Sequence, residues 1–293
     1  MSIENPFDHP LNTQPLPPNN FSAENKQSGW STPIAFGNWF ASVIFAVIVP
    51  LVLIAVYILL FDRPMFEDLK MGKETPTMVM VALIGTFGGQ LLSLLTSWAI
   101  VTNLGKASFK SALGLDWPKY FNVGHAIVLA IAMLGLTILI EKYLPHKETS
   151  LDKYIKMGLS VRLTLALLAT FGAPIVEEII YRGVLYTAIE KNTGKWAAIS
   201  VVTFLFWGVH VAQYYNSVAT LVAVFVLSFV LTYLRAWTGK LLPGIIVHFI
   251  FNGVQGLVIV FAPQKALSPD PATSPVQSAI MLGDGILKLL HWN

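Results

Sequence analysis

Cysteine is absent from the 293 residues. That excludes disulfides, thiolate metal centres and a cysteine nucleophile, although it does not fix a redox compartment. Charge is scarce as well: Asp, Glu, Lys and Arg make up 12% of the chain, about half of the roughly 25% usual in a soluble domain. The net charge of +3 is small and no Lys/Arg cluster occurs, so there is no patch to attract nucleic acid. No basic stretch followed by an apolar one stands at the amino terminus. A cleavable leader is therefore not expected, and the first apolar segment is expected to act as an uncleaved signal anchor. Two further absences count. The halves of the chain show no internal repeat, which argues against a transporter built from duplicated units. No H-E-x-x-H motif occurs, so the best-known local zinc signature is missing.

What is present in excess is apolar surface: 55% of residues are hydrophobic and the mean hydropathy is +0.64. A soluble fold of this length would need an implausibly large core. The apolar residues fall in runs of about 20, enough to cross a bilayer core at about 1.5 Å per residue. Such runs cover approximately 38–61, 77–102, 122–144, 161–189, 196–211, 218–237 and 241–262. The expected fold is all-α, a polytopic membrane helix bundle of about seven transmembrane helices embedded in the lipid bilayer.

The expected organisation has three parts: a disordered polar arm over 1–37, a transmembrane bundle over 38–262 with a catalytic core at about 161–262, and a tail over 263–293 ending in a short interfacial helix. Gly85, Gly88 and Gly89 would let another helix approach the second span closely. Residues 103–121 are too short and too charged to span and read as an interfacial helix or loop. Gly172-Ala173-Pro174 should kink or break the fourth span. Orientation is not determined: the side holding the amino terminus carries eight Lys/Arg and the other side ten, too even a split for the positive-inside rule.

Ionisable residues inside apolar segments are costly and usually mark function. Between Arg162 and Ala262 the acids are Glu177, Glu178 and Glu190. Glu190 sits at a segment end beside Lys191, as a solvated pair would. Glu177 and Glu178 lie deeper. At about 100° per residue, Glu178 and Arg182 point within ~40° of each other, whereas Glu177 and Arg182 diverge by ~140°. Arg182 can therefore neutralise Glu178 as structural support, leaving Glu177 unpaired and suited to general acid–base work.

Three histidines fall in apolar segments. His125, near Asn122 at the start of its span, reads as interfacial and without chemical role. His210 follows Phe206 by four residues, so its ring can pack on one face. His248 precedes Asn252 by four, a polar stack that should face the bundle interior. Glu177 can take a proton from water, His210 can relay one, and His248 with the Asn252 amide can donate to an oxyanion, which suffices for acyl hydrolysis. Two His and one Glu with an open position also form a ligand pattern known for catalytic zinc, so zinc at these same residues is the alternative to a cofactor-free site.

Three motifs carry a resemblance. Glu177-Glu178-Ile179-Ile180-Tyr181-Arg182 fits E-E-x-x-x-R, Phe206-Trp207-Gly208-Val209-His210 fits F-x-x-x-H, and His248-Phe249-Ile250-Phe251-Asn252 fits H-x-x-x-N. In this order on the fourth, fifth and seventh apolar segments they resemble the signature of the CPBP family of intramembrane endopeptidases, which includes the CAAX prenyl endopeptidases and the bacterial Abi proteins. Ala173-Pro174 before the glutamates and Gly183 after Arg182 are similar too. The resemblance implies a glutamate-dependent protease without a cofactor. Glu177 would activate water with help from His210, His248 and Asn252 would stabilise the oxyanion, and Glu178 with Arg182 would hold the site. It also implies membrane protein or peptide substrates and a multi-pass place in a bacterial inner membrane. The rival is a non-catalytic scaffold or a bacteriocin-immunity or maturation factor built on the same fold.

Overall fold

The structure, a computed structural model, describes residues 29–145 and 147–261. The arm up to residue 28 and the tail from 262, where the terminal interfacial helix is expected, lie outside the described residues. Along the chain come α1 (Thr32–Leu60), α2 (Met65–Lys70), α3 (Pro76–Val101), α4 (Phe109–Leu113), α5 (Val123–Tyr143), α6 (Ser150–Ile155), α7 (Leu159–Thr193), α8 (Lys195–Tyr214), α9 (Val218–Thr238) and α10 (Leu242–Phe261). The described residues contain no strand. Seven helices, α1, α3, α5, α7, α8, α9 and α10, are long and apolar enough to cross a bilayer. Their outward faces carry exposed Phe40, Leu51, Leu95, Val128 and Leu257, stable only against lipid.

The first helix begins at Thr32, earlier than the expected 38. Pro33 causes this: in the first turn its fixed φ suits a helix and its missing N–H is not needed. The preceding Trp30 is buried, and its indole Nε1 donates to the Val184 carbonyl at 3.0 Å. The end of the expected arm is thus part of the bundle.

α1 and α3 form a tight hairpin, and Pro50 lies within α1 without ending it. A Cβ on Gly85 would stand 2.5 Å from Pro50 Cα, and one on Gly89 would stand 2.7 Å from the Phe45 carbonyl oxygen. Only glycine allows that approach, as expected for small residues in membrane helices. The hairpin is closed by Asn38 Nδ2 donating to Ser97 Oγ at 3.0 Å. The charged stretch between α3 and α5 is docked rather than free: Leu113 of α4 is fully buried, and Leu241 N–H donates to the Gly114 carbonyl at 2.9 Å.

The fourth span neither breaks at Pro174 nor stays α-helical. It runs through, with i→i+5 turns at Leu168–Gly172 and Glu178–Leu185. Pro174 has no N–H to offer, and the Ala173 N–H reaches back to Leu168 O. This slip leaves the Ala169 carbonyl without a helical donor, the usual consequence of a π turn. In the second π turn, side chains from elsewhere in the chain take two carbonyls: Trp30 donates to Val184 O, and Arg235 Nε to Arg182 O at 3.2 Å. α7 sits in the middle of the packing, with Val176, Ile180, Val184 and Leu185 against Ala198, Val202 and Phe206 of α8.

Candidate active site

Arg182 and Glu178 form the fixed floor of the site, and both side chains are wholly buried. Arg182 Nη1 donates to Glu178 Oε1 at 3.0 Å, the i→i+4 pairing expected from the sequence. The other two guanidinium nitrogens donate as well. Nε donates to Thr232 Oγ1 at 3.1 Å, and Nη2 donates to the Ser228 carbonyl at 3.1 Å and to Ser228 Oγ at 3.0 Å. The guanidinium stands 4.5 Å from the centroid of the Phe206 ring, a favourable cation–π contact. Ser228 and Thr232 were not singled out from the sequence. Yet they are polar, four apart and on the face of α9 that also carries Arg235, the same kind of signal that marks His248 and Asn252.

Glu178 is not confined to Arg182. Its Oε1 also lies 3.1 Å from His248 Nδ1, so this carboxylate touches His248 as well as Arg182. A carboxylate oxygen accepts, so Nδ1 carries the hydrogen and Nε2 points the other way. His248 Nε2 stands 3.9 Å from Glu177 Oε2. His248 is therefore held between the two glutamates, almost wholly buried, while Glu177 keeps 26% of its side-chain surface open. Glu177, which is not bonded to Arg182, thus faces accessible space.

Glu178 Oε2 has no hydrogen-bond partner and sits where α10 presents Gly244, whose Cβ, if it had one, would be 2.9 Å from that oxygen. Gly244 is four residues before His248, so one face of α10 both clears room for Glu178 and delivers the histidine. Gly244→Ala is expected to destabilise the protein by about 1–3 kcal/mol through overpacking. Gly208→Ala, where nothing lies within 4 Å, should leave the thermal midpoint in detergent unchanged. Equal midpoints for both variants would show that the Glu178 side chain moves freely.

Asn252 extends the site toward α7. Its Nδ2 donates to the Ala169 carbonyl at 2.9 Å, the group left over by the π turn before Pro174. The second N–H of the same amide is available. His210 packs under Phe206, with ring centroids 4.6 Å apart, and stacks parallel to Tyr214. Its Nδ1 lies 2.7 Å from the Phe206 carbonyl. A carbonyl cannot donate, so Nδ1 carries a proton, and in the neutral ring the lone pair is on Nε2. Neither a hydrogen bond nor an ion pair joins His210 to Glu177 among the described residues. His125 caps α5 together with Asn122, through His125 N–H to Asn122 Oδ1 at 3.2 Å, and stands apart from the site.

The same distances bear on zinc. Among the described residues no three of His, Asp and Glu are grouped to hold a metal ion. His248 Nδ1 is committed to Glu178 and His210 Nδ1 to a carbonyl. Both rings keep Nε2 free, so these bonds do not themselves argue against a metal-ligand role.

Residues 159–254 match the family of type II CAAX prenyl endopeptidases, Rce1-like. No curated protein and no solved structure matches the chain. The matched segment holds Glu177, Glu178, Arg182, His210, His248 and Asn252 and covers the last four membrane helices up to the final turns of α10. The resemblance drawn from the three motifs thus agrees with the family match, which covers the second half of the membrane bundle.

Proposed function

We propose that this chain, whose residues 159–254 are those of an Rce1-like membrane domain, is an intramembrane endopeptidase. Its substrates are membrane-associated proteins or peptides, and Glu177 activates the attacking water. The observation that supports this best is the contrast between the two adjacent glutamates. Glu178 is sealed by Arg182 and His248, while Glu177 is unbonded, partly open and 3.9 Å from His248 Nε2.

In this reading Glu177 takes a proton from water as the water oxygen bonds to the peptide carbonyl carbon. His210 Nε2, with its lone pair, accepts from the same water and orients it. The negative charge that develops on the carbonyl oxygen meets the free N–H of Asn252 and Nε2 of His248. Donation from Nε2 while Nδ1 donates to Glu178 requires the doubly protonated ring. Glu177, Glu178, Arg182 and His248 then sum to zero charge, which suits a low-dielectric site. The C–N bond breaks as Glu177 returns its proton to the leaving amine.

No metal is used in this reading. The purified protein is expected to carry no stoichiometric zinc and to keep its activity after prolonged chelation, read as release of the cleaved peptide. Loss of activity on chelation, restored by one equivalent of zinc, would overturn the glutamate mechanism. The function itself is tested by comparing peptides in membranes holding the parent chain or Glu177→Gln. Fragments produced by the parent alone name the substrate class. Identical fragment sets would leave the non-catalytic scaffold as the better account.

A further inference from the structure

Gln90 is a carboxamide in the middle of α3, outside the segment that matches the family. Gly85, Gly89, Ser93 and Ser97 form the buried face of α3. Leu83, Phe87, Gln90 and Leu94 follow at intervals of three and four along the neighbouring face. Leu83 and Phe87 line an apolar groove with Phe171 and Gly172 of α7, and Leu94 packs against the cluster holding Val176 and Ile180. One polar side chain thus interrupts an apolar seam beside the fourth span.

Its amide lies on Gly172, where an added Cβ would stand 2.3 Å from Gln90 Oε1 and 3.4 Å from Nε2. Gly172 closes the π turn whose Ala169 carbonyl is held by Asn252. Oε1 is buried without a partner, and neither end of the amide makes a hydrogen bond among the described residues. An unpaired amide at bilayer depth is destabilising, and such groups in native structures have a reason.

We propose that Gln90 is a substrate-binding residue, its carboxamide pairing with the backbone N–H and C=O of an extended peptide segment lying beside Glu177. This rests on the endopeptidase reading. A carboxamide offers one acceptor and two donors side by side, the complement of a peptide group. A peptide unwound for cleavage inside the membrane needs such partners.

Two measurements decide it. The chain has no cysteine, so Gln90→Cys is a single reactive thiol. In membranes it is expected to react with the water-soluble reagent 2-aminoethyl methanethiosulfonate, whereas Leu91→Cys on the exposed face of α3 is expected not to. Equal protection of both would overturn the proposal. Gln90→Met keeps the bulk and removes the hydrogen-bonding groups. Formation of the fragments lost in Glu177→Gln is expected to fall roughly three- to tenfold, while thermal stability holds or rises because an unpaired polar group is gone. A purely packing role predicts unchanged fragments, and that result also overturns the proposal. If Glu177→Gln itself changes no fragment, the enzyme reading fails and the substrate role fails with it. That outcome is told apart from a merely packed Gln90 by a Gln90→Cys that still labels.

Discussion

Replacing Glu177 by glutamine should abolish proteolysis while leaving the protein folded. The amide is nearly isosteric with the carboxylate but cannot take a proton from water, and a positioned general base contributes typically 10²–10⁴-fold to rate. Fragment formation is therefore expected to fall at least ~100-fold. Stability should hold, because Glu177 makes no hydrogen bond among the described residues and is partly open. The ring of His248 stays fixed from its other side by Glu178. The measurement pairs fragment yield in membranes with the thermal midpoint of the same preparation in detergent. A variant that still cuts at a tenth of the parental rate would remove Glu177 from the role of base.

The sequence made the pairing within the fourth span readable, because it depends on local geometry. Two glutamates one residue apart necessarily point in different directions, and an arginine four residues on can serve only the second. The stack of His248 and Asn252 is legible for the same reason. Seven apolar runs are plain in a chain with so little charge. What is not legible is how one helix alters another. The expected kink or break at Pro174 is a π turn, and the Ala169 carbonyl that the turn leaves over is paired by an amide on α10, 83 residues away. The bond between His248 and Glu178 spans 70 residues, so periodicity assigns both side chains to the interior without saying that they touch. Gly244 looks like any membrane glycine until Glu178 is placed against it. Ser228 and Thr232 lie between these cases, since their spacing on α9 shows a polar face and the partner that makes it necessary, Arg182, comes from another helix.

Arg182→Ala should have the opposite signature to Glu177→Gln: a large loss of stability that precedes any question of chemistry. Breaking a buried ion pair by removing one partner costs about 3–5 kcal/mol. Here the removal also strands Ser228 and Thr232, which accept from the same guanidinium. The expected result is a sharply lower yield of folded protein and a lower thermal midpoint. Arg182→Lys should recover only part of it, since an ammonium cannot reproduce the planar set of donors. A further variant separates the two roles of Glu178. Replacing both members of a buried pair with apolar residues of similar size is often neutral for stability, so Glu178→Leu combined with Arg182→Met should regain much of the midpoint lost in Arg182→Ala. It should not regain cleavage, because His248 Nδ1 then has no carboxylate to donate to and its ring is no longer held toward Glu177. Recovery of both stability and fragment formation in that double variant would show that Glu178 only neutralises Arg182 and that His248 needs no support from it.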